Sequence, residues 1–214
     1  MKKVTLTLLL ATLASVGYGQ GVRLGLKLGG SLTNAVGSDI VGSSLQVGGH
    51  GGITANVGIT KNFSLQPEAL FSMKGDQATS YGPSIRARLY YIDVPVVLKY
   101  TRDDVFFEAG PQGGYLLSYQ DNTGFTTKTP TPFRTLDYGY VLGFGYQDPG
   151  GFSVGWRYNG GLTNVYRDVD FGDGVVTTKG RNNAIQLYIA YRFPALFGGK
   201  KAAVEEDTKK PAPK

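Results

Sequence analysis

The stretch Leu136-Asp137-Tyr138-Gly139-Tyr140-Val141-Leu142-Gly143-Phe144-Gly145-Tyr146 places a large apolar or aromatic side chain at every even position. Between them stand an acid, a valine and three glycines. Successive side chains of a β-strand point to opposite faces, so this segment has one continuous greasy face and one small or polar face. Seven further segments repeat the pattern. Val22, Leu24, Leu26 and Leu28 oppose Arg23, Gly25, Lys27 and Gly29; Ile53, Ala55, Val57 and Ile59 oppose Thr54, Asn56 and Gly58. Phe63, Leu65, Pro67, Ala69, Phe71 and Met73 oppose Ser64, Gln66, Glu68, Leu70 and Ser72. Tyr90, Ile92, Val94, Val96, Leu98 and Tyr100 oppose Tyr91, Asp93, Pro95, Val97 and Lys99. Val105, Phe107, Ala109, Pro111, Tyr115 and Leu117 oppose Glu108, Gly110, Gln112 and Gly114. Phe152, Val154, Trp156 and Tyr158 oppose Ser153, Gly155 and Arg157, and Ile185, Leu187, Ile189, Tyr191 and Phe193 oppose Gln186, Tyr188, Ala190 and Arg192. Only Gly113 interrupts the greasy face. Half-buried strands of soluble proteins do not keep so pure an alternation.

The connections are of two kinds. Residues 60–62, 101–104 and 147–151 make tight turns, whereas 34–48, 75–88, 119–134 and 159–182 are long. Short turns at one rim and long loops at the other are the habit of outer-membrane barrels, with the short turns periplasmic. Aromatic residues fall at both strand ends. Phe63, Tyr100, Phe107, Tyr146, Phe152 and Phe193 sit near the short turns, and Phe71, Tyr90, Tyr115, Tyr138 and Tyr158 near the long loops. Two such belts match the two membrane–water interfaces. Unpaired backbone groups are too costly in hydrocarbon for an open sheet, so the strands must close. The fold expected is all-β: an eight-stranded antiparallel up-and-down transmembrane β-barrel, its interior filled by side chains rather than open as a pore.

The ends of the chain read differently. Lys2 and Lys3 precede an apolar run over 4–16, and Gly17 and Gly19 stand three and one residues before a cut after Gly19, the form of a secretory signal. The domains expected are a signal peptide over 1–19, the barrel over 20–193 and a disordered periplasmic tail over 194–214. The end of the tail, residues 204–214, carries charge and proline and has no aromatic residue. With an even strand count both termini fall on the periplasmic side. The chain has no cysteine, so neither a disulfide nor a lipid anchor at cysteine is available. Its net charge of +6 is scattered and accompanied by no nucleic-acid motif.

The inward face carries Arg23, Lys27, Lys99, Arg157 and Arg192 against Glu68, Asp93, Glu108 and Asp137. A narrow interior demands that buried charges be paired. The nine read as a structural ion-pair network, with Glu68, Asp93 and Glu108 sharing Lys99 and Arg157; the alternative is a proton or ion path. Pro67, Pro95 and Pro111 remove ladder donors on three successive strands, so a bulge or a gap is expected there.

Gln66-Pro67-Glu68-Ala69-Leu70-Phe71-Ser72-Met73-Lys74-Gly75, Tyr91-Ile92-Asp93-Val94-Pro95-Val96-Val97-Leu98-Lys99-Tyr100 and Glu108-Ala109-Gly110-Pro111-Gln112 resemble the repeated signatures of the PorT-like outer-membrane β-barrel family of Bacteroidota-type bacteria. The resemblance spans 21–193 and implies an outer-membrane barrel. One named member assists protein secretion, an activity the resemblance does not carry over. The chain departs from the pattern by continuing for 21 residues beyond the strand that ends Tyr191-Arg192-Phe193.

No residue set announces catalysis, a cofactor or a metal. His50, the one histidine, reads as a loop residue at the outer rim of the second segment, with no acid or hydroxyl set to complete a catalytic group. Asp168, Asp170 and Asp173 lack the closing glutamate of a standard calcium loop and read as a solvated turn. Gly139, Gly143 and Gly145 make room inside the barrel rather than a phosphate loop, since no helix follows. The function expected is a non-enzymatic integral outer-membrane protein. Its partners would be outer-membrane lipid and envelope or secretion-system proteins reached through loops or tail, and not nucleic acid. The rival readings are a rim-located barrel enzyme acting on lipid or peptide, and a soluble periplasmic ligand-binding barrel.

Overall fold

The computed structural model describes residues 22–40, 42–78, 85–121, 126–127, 133–170 and 175–195. The proposed signal segment and almost all of the proposed tail lie outside them. Eight long strands run in chain order: β1 Val22–Val36, β2 Gln46–Gly58, β3 Phe63–Ala78, β4 Ile85–Arg102, β5 Val105–Asp121, β6 Leu136–Gln147, β7 Phe152–Gly161 and β8 Arg181–Arg192. Each pairs antiparallel with the next, and β8 pairs with β1 from Gly25↔Arg192 to Val36↔Arg181, which closes the barrel. No helix among the described residues is long and apolar enough to cross a membrane, and the wall is made of strands.

Parity holds around the ring. Leu26, Leu28, Ile53, Phe71, Phe107, Leu142 and Leu187 are exposed on the outer surface, while Lys27, Glu68, Asp93, Glu108, Arg157 and Gln186 are buried inside. A soluble barrel would turn its apolar residues inward; this one is inside out. The belts are present as ring pairs, Phe63 with Tyr100 (5.0 Å) and Tyr191 with Phe193 (5.3 Å) at one rim, Phe71 with Tyr90 (5.9 Å) at the other.

One expectation needs adjustment. The strands run further at the long-loop rim than apolar alternation showed: β1 continues to Val36, β3 to Ala78 and β4 begins at Ile85. Beyond the apolar band the residues turn polar, but the ladder keeps its donors and acceptors paired and so continues. The connections at that rim shrink to 37–45, 79–84, 122–135 and 162–180.

The three prolines each coincide with a ladder gap. Pairing of β2 with β3 skips from Thr54↔Glu68 to Val57↔Leu65, at Pro67. Pairing of β3 with β4 skips from Pro67↔Val96 to Leu70↔Asp93, beside Pro95, and that of β4 with β5 from Pro95↔Gln112 to Leu98↔Ala109, at Pro111. A ring nitrogen without hydrogen cannot donate, so the gap expected from sequence is what forms. A separate register shift lies at Tyr90/Tyr91.

Candidate functional site: the charged barrel interior

The barrel brings its inward charges together in layers. In the middle layer Arg157, from β7, donates from Nη1 to Glu68 Oε2 at 2.9 Å and from Nη2 to Glu68 Oε1 at 3.0 Å. The same guanidinium meets Glu108 of β5, with Nε at 2.9 Å and Nη2 at 2.8 Å from Oε1. Lys27 donates to Glu68 Oε1 at 2.7 Å, and the Tyr188 hydroxyl donates to Glu108 Oε1 at 2.9 Å. The Arg157, Glu68 and Glu108 side chains are 0% exposed. Opposite charges packed this way balance one another at short range, which a desolvated interior requires, while Glu108 Oε2 is left without a hydrogen-bond partner among the described residues.

Glycines shape the space around this layer. A methyl group on Gly155 would sit 2.5 Å from the Tyr188 hydroxyl, one on Gly143 would meet the Glu108 carboxylate, and one on Gly145 would meet the Phe106 ring. The inward glycines are thus the sockets of the large side chains opposite.

Towards the long-loop rim, Lys74 donates to Asp93 Oδ1 at 2.8 Å and stands 3.9 Å from Asp137 Oδ2. Asn182 donates to the same Asp137 oxygen at 3.0 Å and lies 3.4 Å from the Tyr91 hydroxyl; Thr163 donates to Asp137 Oδ1 at 2.9 Å. Above lies an apolar cluster of Leu89, Tyr91, Leu116, Phe133 and Val165, two of which come from the connections at that rim. Between these layers the cavity lined by Lys74, Gln112, Asp137, Asn159 and Asn182 measures about 10 Å³, room for about one water. Towards the short-turn rim, Lys99 donates to Gln147 at 2.8 Å and lies 3.6 Å above the Phe106 ring.

Of the nine sequence-predicted charges, Lys27, Glu68, Glu108 and Arg157 form one network, and Asp93 and Asp137 a second. Three assignments change. Asp93 is paired with Lys74, not with Lys99 or Arg157. Lys99 lies opposite Glu108 in register yet turns its stem to Gln147. Arg23 and Arg192 make no ion pair among the described residues and line a cavity of about 420 Å³ at the short-turn mouth, with Lys61, Asp104 and Asp148. Lys74 escaped the sequence reading because the third segment stopped at Met73; carrying its parity one step further finds it.

His50 is also corrected. It lies within β2, is 3% exposed and points inward against Gly29, not in a rim loop. Neither ring nitrogen has a hydrogen-bond partner among the described residues. In the last long connection Asp168 is held by Arg134 at 2.9 Å, Asp170 forms a two-residue strand pairing with Val175, and Asp173 lies outside the described residues. No group of acids and histidines fit for a metal occurs among the described residues.

The model of the family described as outer membrane protein beta-barrel domain matches residues 16–167. Among solved structures, neisserial surface protein A aligns at TM-score 0.54 and 14% identity, covering 81% of this chain and 100% of that one. Ail, the attachment invasion locus protein of Yersinia pestis, solved with the heparin analogue sucrose octasulfate, aligns at TM-score 0.46 and 9% identity over 81% of this chain and 99% of its own. The outer membrane protein AlkL in DMPC bilayers aligns at 0.44 and 12% identity, over 86% and 95%. At 14% identity the likeness to neisserial surface protein A is one of fold. No curated protein matches the chain. With most of its length matched by one family model, and its apolar face turned outward on a closed ring of eight strands, the chain belongs to the outer membrane protein beta-barrel domain family and is an outer-membrane barrel.

Proposed function

We propose that the protein is a non-enzymatic outer-membrane barrel with a plugged lumen, acting through its outer loops or as one part of an envelope assembly. The observation that carries this reading is the fully buried Arg157 bound to Glu68 on the far wall and to Glu108. A solute crossing the barrel would have to break these pairs and leave charges unmatched in a medium of low dielectric, which is strongly unfavourable. The apolar cluster around Tyr91 and Phe133 supports a second closure nearer the loops. Reconstitution of the full chain in planar bilayers tests it: no stepwise conductance is expected, and steady open-channel currents would overturn the reading.

In the same reading, residues 1–19 direct export and are removed, and both termini of the mature chain face the periplasm. Phe193 donates its backbone N–H to the Leu24 carbonyl at 2.8 Å, so the first and last strands reach the same rim. The chain lacks cysteine, so single cysteines introduced in loops and tail report topology by labelling of intact cells and partners by crosslinking. Labelling of the tail from outside the cell would reverse the assigned orientation.

A further inference from the structure

The outer surface of the long-loop rim carries a groove whose charge the barrel leaves unbalanced. It lies where β6, β7, β8 and the end of β1 meet, and encloses about 480 Å³. Val36, Tyr140 and Leu162 line it and are exposed. The Tyr140 and Tyr158 rings face it 6.1 Å apart. Lys179 and Arg181 complete the lining, and both are exposed.

Neither cation is in an ion pair among the described residues. At the same rim Arg134 holds Asp168 at 2.9 Å, so a cation there can find a carboxylate where one is in reach. The neighbouring carboxylate, Asp39, accepts the Lys179 backbone N–H at 2.8 Å and the Ser38 hydroxyl at 2.8 Å and sets one negative charge near Lys179, so the two cations leave a net positive charge among the described residues.

An occupant must match the apolar Val36 and Leu162 level with Arg181, the tyrosine rings nearer the middle of the wall and two cations at the water interface. A phosphate-bearing lipid does so, with its chains running down along the Tyr140 and Tyr158 rings and its phosphate between Lys179 and Arg181. Guanidinium groups bind phosphate through paired N–H donors, tyrosine rings favour the interface, and basic residues there attract anionic headgroups. We propose that this groove is a binding site for a phosphate-bearing lipid of the leaflet that meets the long-loop rim. The inference rests on the reading of that rim as the outer one only for which leaflet supplies the lipid.

The test uses the full chain in detergent micelles, with lipid retention read by native mass spectrometry. The probes are bisphosphorylated lipid A, its dephosphorylated form and inorganic phosphate. Retention of the bisphosphorylated lipid is expected, with binding of the dephosphorylated form about tenfold weaker. Lys179→Gln with Arg181→Gln should weaken the phosphorylated lipid by about as much, whereas Arg88→Gln, which removes an exposed cation of β4 outside the groove, should not. Arg181→Lys should retain most of the binding. Equal retention of the two lipids, unchanged retention in the double variant, or displacement by inorganic phosphate would each overturn the proposal. Heat-modifiable migration on a gel shows whether a variant has folded; should the double variant fail, the two lipids compared on the unaltered chain still decide. Bilayer conductance does not depend on this groove, so the lumen reading stands or falls separately.

Discussion

Arg157 and Glu68 join opposite walls of the barrel. They lie on β7 and β3, four strands apart in either direction around the ring of eight, and their two hydrogen bonds of 2.9 and 3.0 Å run across the full width of the interior. A pair of this kind fixes the cross-section as well as the charge balance, since either side chain can move only by giving up both hydrogen bonds in the buried interior.

Replacing Arg157 by leucine should therefore destabilise the barrel by about 3–5 kcal/mol, the usual cost of leaving a buried charge unmatched. Glu68 would keep Lys27, but Glu108 would keep only the Tyr188 hydroxyl. Adding Glu108→Gln to Arg157→Leu should recover part of the loss. Urea unfolding in lipid vesicles measures both, and strictly additive losses would remove the coupling.

The glycine sockets predict opposite outcomes for one substitution at two sites. Gly155→Ala would push the Tyr188 ring off its 2.9 Å bond to Glu108, at a cost of about 1–3 kcal/mol for overpacking. Gly113→Ala meets nothing within 4 Å and should be neutral, or stabilising by about 0.5 kcal/mol as chain entropy is reduced. Midpoints of thermal loss of heat-modifiable migration compare the two directly.

Much of the architecture was legible because lipid imposes a simple rule on every strand. Leu136, Tyr138 and Tyr140 had to face outward, and once they did, Asp137 had to face inward. The partners of the inward charges were not legible, since Arg157 and Glu68 are 89 residues apart and meet only after closure and strand stagger are set. Lys99 shows the limit clearly: register places it against Glu108, yet its four-carbon stem reaches Gln147 instead. His50 was misplaced because its neighbours Gly48, Gly49, Gly51 and Gly52 look like a loop in sequence. In the fold Gly29 supplies the socket for its imidazole.

His50 itself offers a further check. Its ring is buried without a hydrogen-bond partner for either nitrogen among the described residues. Burying polar groups without partners is unfavourable, so an apolar side chain of similar size should fit at least as well. His50→Leu is expected to keep or raise the unfolding midpoint. A large loss of stability would show that the imidazole is matched by something the interior holds.

The mouth arginines should behave unlike Arg157. Arg23 and Arg192 share one cavity, and neither has an ion-pair partner among the described residues. Solvent reaches them, so Arg192→Gln should change stability by no more than about 0.5 kcal/mol and should relieve like-charge repulsion. Urea unfolding at low and high salt separates the two contributions: any gain should shrink as salt screens the pair. A loss as large as that of Arg157→Leu would mean that Arg192 is paired after all.

At the opposite rim, Asp39 ties the first long-loop connection to the last through the backbone N–H of Lys179. That hydrogen bond, followed by the one from Ser38, holds the Asp39 carboxyl below the usual aspartate value. A carboxyl with a depressed value in the folded state contributes its tie fully above the ordinary aspartate range and loses it as pH falls through the depressed value. The two connections should therefore stay linked from neutral pH down to the ordinary range and separate only in stronger acid. Asp39→Ala should separate them at every pH. Spin labels on a pair of cysteines at Leu45, exposed in the same connection as Asp39, and Thr178 would report the distance: a broad distribution at neutral pH in Asp39→Ala but not in the parent supports the tie. Identical distributions in both chains would show that Lys179 is held in place by other contacts.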